Sequence, residues 1–299
     1  MNAFNLKEYI KEKKEKVDSA LKAYLPKPFG PAGKVVEAIC YSINAGGKRV
    51  RPILLMAACD AVGGDHNKVL PAACALECVH TYSLIHDDLP AMDDDDLRRG
   101  KPTCHKVYGE AIAILAGDGL LTYAFELMTH PDLLGNCAID SVTKAINVFA
   151  KAAGVDGMVG GQTADILFEG KEVDPETLAY IHSHKTGALI RASVEMGALL
   201  GRGSEEQIKK LIDYGTALGL AFQVIDDLLD VVGDQEKIGK PVGSDLKKQK
   251  ATFPALFGIE ETRKRANELK DQALNAIADF GSEAEPLRAI ARYVVERDR

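Results

Sequence analysis

The sequence predicts an all-α protein, and three observations carry that prediction. Apolar residues recur at helical spacing in nearly every segment. Gly and Pro punctuation falls at helix-length intervals. No stretch alternates apolar and polar residues for long enough to suggest a sheet. Several helices read as apolar nearly all round, which implies burial inside a large bundle. The 299 residues suffice for one large domain or two small ones. With no fixed-period repeat and no low-complexity linker, residues 1–299 read as a single all-α domain.

Taken in order, Leu6, Tyr9, Ile10, Val17, Leu21 and Tyr24 trace a first helical stripe, ended by Pro26 and Pro28. Val35, Val36, Ile39 and Ile43 mark a second helix, closed by Gly46 and Gly47. Pro52 suits the first turn of the next, residues 53–62, which Gly63 and Gly64 stop. Residues 70–88 form a long apolar helix that Pro90 must interrupt, because its ring would clash with the carbonyl of His86. The same reading gives helices over residues 111–129, 138–153, 175–200, 205–232, 253–280 and 285–296, with Gln162 and Asp165 on a further kinked helix after Gly160-Gly161.

Composition excludes some functions. Hydrophobic residues make up 46%, which permits a large core and excludes global disorder. A net charge of −7 argues against a nucleic-acid partner, for which a basic footprint is expected. The six cysteines lie in apolar segments, and none forms a Cys-x-x-Cys pair. They read as reduced core residues of a cytosolic protein. The charged N-terminal stretch is no signal peptide, and no run reaches the ~18 uninterrupted apolar residues of a membrane span. The expectation is a soluble cytoplasmic protein, not an integral membrane one.

The chemistry concentrates at His86-Asp87-Asp88-Leu89-Pro90-Ala91-Met92-Asp93-Asp94-Asp95-Asp96-Leu97-Arg98-Arg99-Gly100, where six aspartates fall within ten positions. Carboxylates cost several kcal/mol to bury unless something cationic satisfies them. Loosely spaced carboxylates beside arginines fit magnesium held jointly with a phosphorylated ligand better than an all-protein calcium cage. The calcium-loop spacing is also missing. The plain alternative is a solvated acidic loop. A second stretch, Phe222-Gln223-Val224-Ile225-Asp226-Asp227-Leu228-Leu229-Asp230, again ends an apolar run in paired aspartates. Asp226 and Asp230 share a helix face and repel each other there. Accepting that cost twice points to cations between the two motifs.

Cationic and polar groups follow the same theme. Ala45-Gly46-Gly47-Lys48-Arg49-Val50-Arg51-Pro52 puts three cations on a glycine turn that opens a helix, an arrangement suited to an anion. It is not a P-loop, because the glycine spacing and the Ser/Thr after Lys are missing. His80 lies two turns before Asp87 on the same helix face. Arg98 and Arg99 can bind phosphate oxygens bidentately, although arginine pairs often simply meet solvent. His182-Ser183-His184-Lys185-Thr186-Gly187 lies in a helical run whose glycine allows a kink turning Lys185 and Thr186 inward; no further ligand at zinc spacing follows. Residues 233–250, glycine-bearing and lysine-rich, read as a lid over phosphate or as a long surface loop.

Together these residues resemble the trans-prenyltransferases (polyprenyl synthases), most closely the bacterial-type farnesyl diphosphate synthases. The likeness runs through Gly46-Gly47-Lys48-Arg49-x-Arg51-Pro52, Asp87-Asp88-x4-Asp93 to Arg98-Arg99-Gly100, Gly161-Gln162-x-x-Asp165, Lys185-Thr186, Gln223-x-x-Asp226-Asp227-x-x-Asp230 and the ending 293–299. It spans nearly the whole chain. The resemblance implies a homodimeric isoprenoid-synthase fold, a large antiparallel helical bundle around a deep central cavity, with the aspartate motifs facing each other across its mouth.

It also implies residue roles. Three Mg²⁺ ions, with Mn²⁺ an acceptable substitute, would bridge Asp87, Asp93 and Asp226 to the diphosphate of dimethylallyl or geranyl diphosphate. Isopentenyl diphosphate would sit on Lys48, Arg51, His80 and Arg99. Arg98, Lys185 and Lys240, with Thr186 and Gln223, would complete the allylic site, and Asp88 would join the catalytic carboxylates. Metals and cations stabilise the departing diphosphate, and the Thr186 and Gln223 dipoles lie near the allylic cation. Two head-to-tail condensations would give the C15 product, farnesyl diphosphate.

Product length rests on a finer resemblance. The Pro90-Ala91 insertion resembles both bacterial farnesyl and plant-type geranylgeranyl enzymes, and Tyr82, five residues before Asp87, resembles the farnesyl pocket floor. An ideal helix puts Tyr82 about 140° around from Asp87 and stacks Ser83 beneath it, so either residue is a candidate for the floor. The alternatives are a geranylgeranyl diphosphate synthase, a terpene cyclase and a catalytically silent regulatory subunit of a prenyl synthase.

Overall fold

The computed structural model describes residues 4–232 and 252–296. They form helices α1 (Leu6–Tyr24), α2 (Gly33–Asn44), α3 (Val50–Ala61), α4 (Leu70–Asp87), α5 (Cys104–Tyr108), α6 (Glu110–Met128), α7 (Pro131–Leu134), α8 (Ile139–Ala153), α9 (Met158–Phe168), α10 (Pro175–Ile181), α11 (Ala188–Leu200) and α12 (Glu205–Val232). After the undescribed residues come α13 (Phe253–Phe257), α14 (Ile259–Ala276) and α15 (Glu285–Glu296). The sole sheet among the described residues is a hairpin of two two-residue strands, β1 (Leu97–Arg98) and β2 (Lys101–Pro102), with Arg98 paired to Lys101. The all-α expectation holds.

The apolar patterns explain the layering. α4 buries residues on every side, from Pro71 through Ile85, and packs against α3 and α6. α11 is likewise buried nearly all round, enclosed by α3, α8 and α12. One apolar cluster centres on α4, α6 and α8, and a second on α3, α12, α14 and α15. By length and composition Glu110–Leu134 is apolar enough to cross a membrane. Here its α6 portion packs on α4, while Ile114 and Leu115 remain exposed.

Two predicted helices are broken, and two short ones lie outside the predicted set. The helix expected over residues 175–200 is interrupted by a π-helical segment, His182–Gly187, which separates α10 from α11. The helix expected over residues 253–280 breaks at Gly258, whose φ of +79° lies where glycine is favoured. Between the predicted helices, α5 and α7 have five and four residues, too short to show a period.

The glycine turn before α3 is held from within. Arg49 is only 4% exposed and adopts a left-handed φ of +53°. Its guanidinium donates to Asp18 on α1 (2.8 Å), to Glu77 on α4 (2.6 Å) and to the Ile43 carbonyl of α2 (2.8 Å). Of the turn's three cations, this one is structural, joining three helices.

Candidate active site

A cavity of about 330 Å³ opens between α4, α9 and the π-helical segment. Its wall includes Arg51, His80, Tyr82, Ser83, Asp87, Gln162, Lys185 and Thr186, residues far apart in sequence. Apolar groups unmarked by any motif complete the wall, among them Met158, Val159 and Ile166. Only their contribution to helical periodicity was visible in the sequence.

The two residues of the first aspartate pair are separated by their environments. Asp87 lines the cavity, and burial together with the charge of Asp93 pushes its carboxyl up to about 6, against the pull of Lys185. The Asp93 amide donates to the Asp87 carbonyl at 2.8 Å, which folds the loop after Pro90 back onto the helix end. Asp88 is 3% exposed and lies against Arg98 in a small second pocket of about 30 Å³. Arg98 therefore sits on Asp88, not in the main cavity, and Asp88 is engaged by that ion pair.

The expected isopentenyl site is partly assembled. Arg99 turns back to donate to the Gly46 carbonyl, and a side chain at Gly47 would overlap its guanidinium. That close approach is a physical reason for the second glycine of the turn. Burial, then the charges of Arg51 and Arg99, hold the His80 imidazole well below its ordinary value, so it is neutral at pH 7. Burial and Arg99 also lower Arg51, while Glu77 and Asp226 support its charge. Lys48 is exposed on the same turn. Glu77, a lone acid inside an apolar helix, carried no motif signal; at 1% exposure its charge supports those of both Arg51 and Arg99.

On the opposite wall, Lys185 donates to Asp165 of α9 at 2.6 Å. Gly161 allows that meeting, because a Cβ there would overlap the backbone nitrogen of Lys185. Thr186 Oγ1 donates to Gln223 Oε1 at 2.8 Å, and Gln223 Nε2 donates to Asp227 at 2.9 Å. Asp226, one position earlier on α12, is half-buried. The two histidines near Lys185 do not form a metal site: His182 lies 3.3 Å from Asp227, and His184 stacks on Tyr180. Lys240 and the proposed lid fall outside the described residues.

Among the described residues no three His, Cys, Asp or Glu side chains cluster closely enough to hold an ion by themselves. The carboxylates nonetheless suit a hard cation. Asp87 is buried beside a second carboxylate that raises it, and a divalent ion there would relieve both penalties. An oxygen-donor site short of a full protein cage is the usual setting for Mg²⁺ shared with a phosphate ligand.

Residues 33–290 match the family model described as polyprenyl synthetase. The chain is 48% identical over 296 residues to a geranylgeranyl diphosphate synthase of Cyanophora paradoxa, covering 99% of this chain and 97% of the relative. It is also 48% identical over 299 residues to a farnesyl diphosphate synthase of Geobacillus stearothermophilus, covering 100% of both. The apo crystal structure of an FPP/GFPP synthase from Zymomonas mobilis superposes with a TM-score of 0.86 at 40% identity, over 97% of this chain and 99% of that one. The architecture is the all-α isoprenoid-synthase fold. With that model matching most of its length, the chain belongs to the polyprenyl synthetase family.

Proposed function

We propose that the protein condenses isopentenyl diphosphate head-to-tail with dimethylallyl and then geranyl diphosphate, releasing farnesyl diphosphate. Membership of the family makes it a prenyltransferase that elongates a prenyl chain. The C15 product is the finer step. One observation carries it: Tyr82, 6% exposed, lines the cavity that Asp87 also lines, one and a half turns away on α4. A ring at that place, beside Ser83, stops the growing chain by filling the space the next isoprene unit needs.

The residues divide the work between two diphosphates. Lys48, Arg51, neutral His80 and Arg99 hold isopentenyl diphosphate by charge and hydrogen bonds. Lys185, Arg98 and Lys240 serve the allylic diphosphate, with Arg98 arriving from its pair with Asp88. Asp87, Asp93 and Asp226 would hold Mg²⁺, or Mn²⁺ in its place, which would supply positive charge at the departing diphosphate. Thr186, held by the Gln223 amide, turns its hydroxyl dipole toward the allylic cation. The isopentenyl double bond then attacks, and the proton goes to a released diphosphate oxygen.

The same reading makes residues 1–299 one cytoplasmic prenyltransferase domain that works as a homodimer. The exposed apolar Ile114 and Leu115 on α6, with Val107 on α5, support a second copy packing there.

The test is incubation with dimethylallyl diphosphate, excess isopentenyl diphosphate and Mg²⁺, followed by product chromatography. A dominant C15 product is expected. A dominant C20 product replaces the farnesyl assignment with the geranylgeranyl one. Consumption of allylic substrate without isopentenyl diphosphate identifies a cyclase, and no turnover at all identifies the regulatory subunit.

A further inference from the structure

The pairs Thr186–Gln223 and Gln223–Asp227 form one chain of hydrogen bonds whose polarity is dictated at its buried end. Asp227 is 2% exposed and accepts on both oxygens: Oδ1 from Gln223 Nε2 at 2.9 Å, and Oδ2 from the backbone N–H of Phe253 at 2.8 Å. His182 Nε2 stands 3.3 Å from the same Oδ2. With both oxygens accepting, Asp227 offers no donor, so the Gln223 atom facing it must be the amide nitrogen. The other end of that amide is then its carbonyl oxygen, which faces Thr186. Two acceptors cannot bond each other, so the Thr186 proton lies on that contact, leaving its lone pairs for the cavity that Thr186 lines.

We propose that Asp227 is a positioning residue for the allylic cation: by dictating the orientation of the Gln223 amide, it fixes the Thr186 hydroxyl with its negative end toward the cavity. The inference rests on the prenyl-transfer reading above. It gives the two members of the second aspartate pair different tasks, with Asp226 at the diphosphate and Asp227 oriented into the protein, tying α12 to the π-helical segment and the start of α13. Replacing Asp227 with Asn removes the acceptor-only constraint. An asparagine that keeps its oxygen on the Phe253 N–H presents its own amide group to Gln223. Gln223 then rotates and offers N–H to Thr186, which accepts and directs its proton into the cavity. The dipole opposite the cation is reversed.

The experiment compares wild type, Asp227→Asn, Thr186→Val and the double variant, with geranyl and isopentenyl diphosphates as substrates. Asp227→Asn should lower kcat roughly 10–100-fold. Both KM values and the Mg²⁺ concentration for half-maximal rate should stay within about twofold, the spread expected when a lost interaction acts only in the transition state. In the Thr186→Val background, Asp227→Asn should lower kcat no further, because a residue acting through Thr186 has nothing left to act on. Additive losses in the double variant overturn the inference, as does a shift in the Mg²⁺ requirement, which would make Asp227 a metal ligand. If Asp227→Asn melts well below wild type, Gln223→Met serves as the second probe, and it too must fail to add to Thr186→Val. A wild type that forms no condensation product refutes the prenyl-transfer reading itself, a result distinct from additivity in an active enzyme.

Discussion

Arg98 grips Asp88 with both faces of its guanidinium edge: Nε lies 2.7 and 2.9 Å from the two carboxylate oxygens, and Nη2 lies 2.5 Å from one of them. Such a fork–fork pair is the strong geometry for arginine and carboxylate. It separates two adjacent aspartates by chemistry. Asp88 is neutralised within the protein, whereas Asp87 stays at the cavity wall with its carboxyl pushed up to about 6.

Asp87 should therefore matter in opposite senses for stability and for turnover. The folded state holds the Asp87 proton more tightly than the ordinary value of 3.8, so the native protein binds more protons between that value and about 6. Its stabilising contribution is fully present below 3.8 and is lost as pH rises through 6. In metal-free buffer Asp87→Asn should melt above wild type at pH 7.5 and converge with it near pH 4. Its turnover, and that of Asp226→Ala, should fall by orders of magnitude in saturating Mg²⁺. Near-normal rates in either variant would refute the assignment of these carboxylates to the metal.

Arg51 is assigned to one diphosphate only. Arg51→Ala should raise the KM for isopentenyl diphosphate far more than that for the allylic partner, since a charged contact in a partly desolvated site is worth about 2–3 kcal/mol. Steady-state kinetics with each substrate varied in turn checks this, and equal effects would merge the two sites.

Arg49 should behave as a stability residue. Truncation to Met leaves Glu77 buried at 1% exposure without its partner, and breaking such a buried pair costs roughly 3–5 kcal/mol. At this size that corresponds to a fall in Tm of about 5–8 °C, readable by calorimetry. A change under about 2 °C would mean that Asp18 and Glu77 find other partners.

Tyr82→Ala should open space below Asp87 that is continuous with the cavity. Product from dimethylallyl and excess isopentenyl diphosphate should then extend from C15 to C20 or beyond, while metal-dependent turnover persists. An active variant that still stops at C15 would place the floor elsewhere.

The sequence made the helices legible because periodicity and Gly/Pro punctuation are local properties, and α3, α4 and α12 lie close to where those signals place them. Which residues would share a site was legible from the motifs and their resemblance. The direction of each side chain was not. Ideal helix geometry left Tyr82 and Ser83 as rivals for the cavity floor, and both line it, since the width of a binding cavity exceeds one helix face. Similarly, nothing in the local spacing says that Arg49 is used up inside while Arg51 reaches the cavity, because that depends on Asp18 and Glu77 from two other helices. Asp87 and Asp88 look alike in the chain, and only the return of Arg98 through the β1–β2 hairpin distinguishes them.

The π-helical segment His182–Gly187 acts as a phase shifter. A π turn holds more residues than an α turn, so α11 emerges rotated relative to α10 while the axis continues. Winding the same residues as an ordinary α-helix, with none removed, would turn everything on one side of the segment by about 100° relative to the other. Lys185 and Thr186 would then part from Asp165 and Gln223, or α11 would lose its fit against α3, α8 and α12. Substitutions on either side can be absorbed one at a time, but loss of the π winding with its residues retained cannot.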